Sequence, residues 1–244
     1  MNDIKIIAHR GASFLAKHEN SVESIQLAMD IGADMVEFDV RCTMDGELII
    51  YHDSVFEDTP ISWQQFDEIE RVANAKGLDI PTFEEVVRIC AGKIKMDIEL
   101  KETGYERKVV KILDKMCDTS EYSIKSFYDN SVYKVKKLNS KIETGLLTGM
   151  KDIGVNHRIA EFFPDRRLKA AKCDFISPYY RYATKGFIDW MHRLGYKVYP
   201  WTVNSEIAMK ILMYKGVDGI ITDKPDAGLY VRNELMGKKS ETKD

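Results

Sequence analysis

Along the chain, short runs rich in β-branched and aromatic residues alternate with longer stretches whose apolar positions recur at helical spacing. Strand-like runs fall at Ile4–Ala8, Met35–Val40, Leu48–Tyr51, Ile94–Leu100, Tyr122–Phe127, Ile142–Leu147, Phe175–Ser177, Val198–Thr202 and Gly219–Thr222. Helix-like segments lie between most of them, at Ser21–Ile31, Thr82–Cys90, Arg107–Met116, Ser131–Leu138, Lys185–Leu194, Ser205–Tyr214 and Pro225–Leu235. The segment at Thr82 opens Thr-Phe-Glu-Glu, the spacing of a capping box. Strand–helix units joined by short connections predict an α/β fold with a parallel sheet. At this length a closed (β/α)8 TIM barrel is favoured over an open doubly wound sheet. Nine runs are one too many for such a barrel. Only Arg41–Glu47 separates the second run from the third, with an Asp45-Gly46 turn signal inside. That is too short for a parallel crossover, so the third run is expected to fold back as a β-hairpin extension after the second strand. With no internal repeat and no linker-like stretch, the expectation is one barrel domain over residues 1–236 and a disordered polar tail over 237–244.

Composition narrows the class without naming a chemistry. Apolar residues make up 44% of the 244, as in ordinary globular chains. Thirty-six basic residues against 39 acidic ones leave a net charge of −3, which argues against a nucleic-acid partner. No run approaches the ~20 apolar residues that cross a bilayer, so no stable membrane insertion is expected. Charge comes too early at the N-terminus for a secretory signal. Cys42, Cys90, Cys117 and Cys173 form no Cys-x-x-Cys pair. A cytoplasmic location is the expectation.

The chemistry is signalled by charge where buried strands should be apolar. In the second strand Val36, Phe38 and Val40 share one face, and Glu37, Asp39 and Arg41 share the other. In Ile94–Lys101 the same alternation sets Ile94, Met96, Ile98 and Leu100 against Asp97, Glu99 and Lys101. In a barrel the apolar sets pack beneath the helices and the charged sets point into the mouth. Carboxylates crowded there repel by about 4 kcal/mol per pair at ~4 Å and an effective ε of about 20, so cations must offset them. Glu37, Asp39 and Glu99 form an all-oxygen set, which suits Mg²⁺ or Ca²⁺ better than Zn²⁺. A hairpin turn centred on Met44-Asp45 sets His52 opposite Glu37, and one centred on Asp45-Gly46 sets it opposite Asp39. Either register puts His52 on the carboxylate face. The first strand ends Ala8-His9-Arg10-Gly11, adding a second histidine and an arginine to the same rim. Each piece alone is more often a surface pair, an ion pair or a turn. Their convergence at successive strand ends favours a site for acid–base cleavage of an anionic ester.

Several ordered segments then coincide with one family. They are Ile7-Ala8-His9-Arg10-Gly11-Ala12-Ser13 with Glu19-Asn20, Gly32-Ala33-Asp34 leading into Glu37-Phe38-Asp39-Val40, and Thr43-Met44-Asp45-Gly46 to His52-Asp53. Pro81-Thr82-Phe83-Glu84-Glu85, Ile98-Glu99-Leu100-Lys101, Trp201-Thr202-Val203-Asn204 and Gly216–Pro225 follow in order. In these the chain resembles the glycerophosphodiester phosphodiesterase family of TIM barrels. The resemblance implies hydrolysis of glycerophosphodiesters to glycerol 3-phosphate and an alcohol, with a divalent cation and a small-molecule substrate. Carried over by position, it implies His9 and His52 as the acid–base pair and Glu37, Asp39 and Glu99 as metal ligands. It implies phosphate-holding roles for Arg10 and Lys101, with Phe127 and Trp201 lining the pocket.

The chain departs from that pattern in two places. His18 stands where a proline usually precedes Glu-Asn. The Arg-Thr-Thr-x-Gly type segment after His52-Asp53 is missing, leaving Ser54–Pro60, so a more open pocket over the alcohol end is expected. His18, His157 and His192 are not assigned to the site, although His157 sits in a loop that could touch substrate. The Tyr179-Tyr180-x-Tyr182 run is read first as a cap on the barrel, and Arg166-Arg167 with Lys169 and Lys172 as a solvated helix face. Competing readings are lysophospholipase D-type hydrolysis at the same site and a non-catalytic glycerophosphate-binding barrel. A phosphosugar isomerase or aldolase is disfavoured, because the loops after the last two strands lack paired glycines and no Schiff-base lysine stands out.

Overall fold

The structure is a computed structural model and describes residues 4–149 and 164–240. Eight parallel strands form the sheet among the described residues: β1 (Lys5–Ala8), β2 (Met35–Cys42), β6 (Lys95–Leu100), β7 (Tyr122–Ser126), β8 (Glu143–Thr148), β9 (Phe175–Pro178), β10 (Lys197–Val198) and β11 (Gly219–Thr222). Neighbours run β10-β9-β8-β7-β6-β2-β1-β11. The first and last strands pair in register from Lys5↔Gly219 to Ala8↔Thr222. Hydrogen bonds from Asp218 N to Val198 O (3.1 Å) and from Ile221 N to Pro200 O (3.0 Å) tie β10 to β11. The result is the nearly closed barrel that the alternation predicts. The expected run Val198–Thr202 appears as a two-residue strand. Pro200 has no N–H to give, yet Tyr199 N and Trp201 N still bond to β9 at Ile176 O and Pro178 O.

Strand parity divides the interior as the sequence implies. Val36, Phe38 and Val40 join an apolar layer with helices α1 (Val22–Asp30) and α3 (Phe83–Cys90), while Glu37 and Asp39 are buried on the other face. Inside the barrel Ile7, Met35, Phe175, Tyr199 and Ile221 form a separate apolar plug. Gly145 on β8 makes room for it, since a Cβ there would come within 2.0 Å of the Phe175 ring. The capping box at Thr82 and Glu85 starts α3 as expected, and Ser21 caps α1 with Ser24.

Two sequence expectations need correction. Strand β3 (Leu48–Ile50) does fold back on β2, but in the register Val40↔Ile50, Arg41↔Ile49, Cys42↔Leu48. The loop therefore centres on the single residue Asp45, and extending the ladder would set Phe38, not Glu37 or Asp39, opposite His52. The parity argument for His52 fails. The stretch after it is compactly folded. It forms a hairpin of β4 (Val55–Phe56) and β5 (Thr59–Pro60), then helix α2 (Phe66–Ala75), over a satellite core containing Ile49, Phe56, Ile61 and Ile69. The last helix runs Pro225–Ser240, so residues 237–240 extend a helix where a tail was expected. His157 lies outside the described residues.

Candidate functional site

The mouth is built from the carboxyl-terminal halves of the strands. The turn after β1 is forced open by Arg10 (φ +53°) and Gly11 (φ +77°). A side chain on Gly11 would strike the backbone of Ser24 at 2.5 Å, so only glycine lets this turn lie against α1. The turn aims Arg10 N at Glu37 Oε2 (3.0 Å) and brings Arg10 Nε to 3.2 Å from Asp39 Oδ2. Glu19 accepts from Arg10 NH1 at 2.7 Å, and Asn20 donates to Asp39 Oδ2 at 2.8 Å. The Glu19-Asn20 pair that follows the first turn thus supports the arginine and the aspartate.

Parity and register do the rest. Asp39 stands beside Glu99 on β6, and Glu37 beside Asp97. Glu37, Asp39 and Glu99 are all buried, with candidate ligand oxygens within 4.8 Å of one another. Asp39 Oδ1 is buried without a hydrogen bond, although Lys101 Nζ lies 3.1 Å from it as an ion pair. Lys101 also donates to Glu99 Oε1 at 2.6 Å. Burial works against the charged form of Asp39, but Lys101 and Arg10 outweigh it and hold that carboxyl below the ordinary range. Burial pushes Glu99 up to about 7; Lys101 opposes the shift, and Asp39 and Glu37 reinforce it. A hard divalent cation fits this donor set: three buried oxygens, one lacking a donor, and mutual repulsion for the ion to relieve.

Both histidines line the same cavity, of about 870 Å³, with Glu37, Glu99, Arg10 and Lys101. His9 Nδ1 meets Asp223 Oδ1 at 2.6 Å, and its Nε2 lies 4.0 Å from Glu37 Oε2. His52 Nδ1 meets Asp53 Oδ1 at 2.7 Å. What brings His52 to the rim is not the ladder but Arg41, whose Nε and NH2 donate to the His52 carbonyl at 2.9 and 2.6 Å after the chain leaves β3. Burial, then the charges of Lys101 and Arg10, lower the His52 pKa below the usual 6.5. Across the mouth Phe127 and Trp201 pack edge-on, with ring centres 5.6 Å apart, and Trp201 Nε1 donates to Ser177 O at 2.9 Å. Tyr179 packs edge-on against Trp201 and Tyr180 and lines the cavity with Tyr182, so the aromatic run walls the pocket rather than only capping the barrel.

The structure therefore brings His9, His52, Arg10, Lys101, Glu37, Glu99, Phe127 and Trp201 to one cavity, with Asp39 buried against Glu37, Glu99, Arg10 and Lys101. Sequence reasoning missed Asp223, whose approach to His9 depends on closure between the first and last strands. It also missed Lys125, wholly buried, with Nζ 2.6 Å from Asp97 Oδ2 and 3.3 Å from Glu37 Oε1. Those carboxylates outweigh burial and hold Lys125 charged. Its signal was present: Ser-Ile-Lys-Ser puts a lysine on the inward parity of β7, as Glu99 is on β6. His192, in the helix Lys185–Arg193, bonds Asp218 at the far end of the barrel, and Arg167 pairs with Asp129, so neither belongs to the site.

A parallel barrel that gathers buried acids, two histidines and cations at the carboxyl ends of its strands is a TIM-barrel enzyme with a mouth suited to an anionic ester. Residues 9–227 match the model of the glycerophosphoryl diester phosphodiesterase family, and the chain belongs to that family of glycerophosphodiester hydrolases. It is 30% identical over 239 residues to a glycerophosphodiester phosphodiesterase of Caldanaerobacter subterraneus subsp. tengcongensis, covering 91% of this chain and 94% of that one. It is also 30% identical over 253 residues to a glycerophosphodiester phosphodiesterase of Bacillus altitudinis, covering 95% and 99%. Among solved structures, a glycerophosphodiester phosphodiesterase from Parabacteroides distasonis superposes with a TM-score of 0.80 at 25% identity, over 96% of this chain and 99% of that one. An Oleispira antarctica phosphodiesterase in complex with the product sn-glycerol-3-phosphate superposes with a TM-score of 0.79 at 23% identity, over 94% and 96%. No helix among the described residues is long and apolar enough to cross a membrane.

Proposed function

We propose that the chain is a metal-dependent phosphodiesterase that cleaves small glycerophosphodiesters to glycerol 3-phosphate and an alcohol by two-histidine acid–base catalysis. The observation that carries this reading is the meeting of three buried carboxylates, within 4.8 Å, with two carboxylate-oriented histidines on one cavity. The Oleispira antarctica neighbour that holds sn-glycerol-3-phosphate supports the product. Glu37, Asp39 and Glu99 would hold Mg²⁺ or Ca²⁺, which when bound supplies Lewis-acid stabilisation of charge on the phosphoryl oxygens. Arg10 and Lys101 are the cations for the remaining phosphate oxygens. Each histidine donates from Nδ1 to its aspartate, so Nε2 is the proton-transferring nitrogen of both. One takes the proton of the glycerol hydroxyl or of water, and the other gives a proton to the leaving alkoxide. Phe127 and Trp201 wall the pocket around the non-ionic part of the substrate and keep water from it.

The test is to strip the purified protein of metal, offer glycerophosphocholine and several other head groups, and add back Mg²⁺ or Ca²⁺. Release of glycerol 3-phosphate only with metal is expected. No release with any metal and any head group would overturn the reading.

A further inference from the structure

The proposed acid–base and metal chemistry leaves one buried charge unused. Lys125 begins on β7, where it stands beside Glu99, and reaches over β6 to the carboxylate of β2. Its ammonium makes an ion pair with Asp97 Oδ2 at 2.6 Å and with Glu37 Oε1 at 3.3 Å. Both oxygens of each carboxylate are thereby engaged. Asp97 Oδ1 accepts from Ser123 Oγ at 2.9 Å, and Glu37 Oε2 accepts from Arg10 N at 3.0 Å. The line Ser123–Asp97–Lys125–Glu37–Arg10 crosses from β7 through β6 and β2 to the turn after β1. Lys125 and Asp97 are each about 1% exposed, so water does not compete for these bonds. A lysine and an aspartate buried together inside a barrel are weak stabilisers, because desolvation opposes their attraction. Stability alone gives little reason to hold them there. Lysine offers three donors and no acceptor, so it can hold two carboxylates at once and fix the rotation of both.

We propose that Asp97 and Lys125 form a positioning pair that locks the Glu37 carboxylate in its ligating orientation from beneath the mouth. The inference rests on the proposed metal role of Glu37, and it assigns the pair no contact with substrate. Groups that orient metal ligands from behind change metal affinity by roughly 10–100-fold when removed.

The test separates orientation from charge. Deleting Lys125 alone would remove a cation near the site and by Coulomb attraction tighten metal binding, so the decisive variant is the charge-neutral pair Asp97→Asn with Lys125→Met. Mg²⁺ and Ca²⁺ are titrated calorimetrically into the metal-stripped wild type and the double variant, with circular dichroism to check the fold. The expected result is a folded variant that binds roughly 10–100-fold more weakly, with kcat recovering towards wild type at high metal. Unchanged or tighter binding by the folded variant overturns the inference, while leaving the metal role intact. A wild type that binds neither ion overturns the metal role itself and the inference with it. Should the double variant fail to fold, the closer-fitting charge-neutral pair Asp97→Asn with Lys125→Gln is read in its place. The glutamine amide nitrogen is one bond closer to the backbone, so it keeps a donor for position 97 but loses reach to Glu37. Weaker metal binding there supports the inference, and unchanged or tighter binding overturns it.

Discussion

The two ends of the barrel use the same charged residues in opposite ways. At the amino ends of the strands each acid has partners of its own. Asp34 accepts from Ile6 N at 2.7 Å and pairs with Arg232; Asp218 accepts from Val198 N at 2.8 Å and faces His192 at 2.7 Å; Glu143 gives one oxygen to Lys95 and the other to Lys197. These contacts stitch neighbouring strands and leave little charge over. At the carboxyl ends, Glu37, Asp39, Asp97 and Glu99 crowd together and share Arg10, Lys101 and Lys125 among them. Acids outnumber cations, and Asp39 Oδ1 goes without a hydrogen bond. The floor is arranged for cohesion, and the mouth leaves negative charge unanswered, as the proposed metal site requires. The difference is in how completely each charge is answered, not in which residues are used.

The largest expected effect falls on the mouth alone. His9→Ala or His52→Ala should lower glycerol 3-phosphate release by about 10²–10⁴-fold while the circular dichroism spectrum and melting temperature stay near wild type. Near-normal turnover in either would remove that histidine from the mechanism. Next, Asp39→Asn should abolish the thermal stabilisation that saturating metal gives the wild type, which is about 2.7 kcal/mol at 100 times Kd. Asp34→Ala is the converse at the floor. It should cost roughly 1–3 kcal/mol in urea unfolding and leave kcat/KM unchanged. If Asp34→Ala impaired turnover, or Asp39→Asn left the metal-induced stabilisation intact, the contrast between the two ends would not stand.

The smallest effects concern protons. Glu99 is pushed up to about 7, so it holds its proton through the weakly acidic range where an ordinary glutamate has lost it. Protons therefore compete with metal below about pH 7, and the metal dissociation constant should rise as the pH falls through that value. A titration between pH 6 and 8, repeated with Glu99→Gln, reads this directly, and a flat wild-type profile would contradict it. For His52 the sign is opposite. A lowered pKa keeps the neutral imidazole available below about 6.5, so whichever limb of the kcat/KM profile is lost in His52→Ala should lie under the ordinary histidine value.

Much of this contrast was legible in the sequence, because inward parity in a buried strand is a local property. Glu37, Asp39 and Glu99 could be placed by counting residues, and the barrel strands by their alternation. The hairpin was legible but its register was not: a loop centred on Asp45 differs by one residue from either two-residue turn, and one residue reverses every face. His52 reached the rim through Arg41 and a chain bend, which no ladder argument contains. Val55–Phe56 and Thr59–Pro60 are too short to carry a periodic signal, and α2 is held by the satellite core beneath it. Asp223 could not be linked to His9 without knowing that residues 214 positions apart become neighbours. Lys125 was readable by the same parity as Glu99, but a lone lysine in a strand looks like a surface residue until the strand is known to be central.

The bond between His9 and Asp223 also sets an order of events during synthesis. Glu37, Asp39, Glu99 and Lys101 all lie in the first half of the chain, so every acid of the cluster is synthesised well before β11. The aspartate that orients His9 arrives only with β11, and it reaches His9 only when the last strand docks on the first. On the proposed mechanism, a nascent chain that already holds His52 on Asp53 would still lack the aspartate that orients His9.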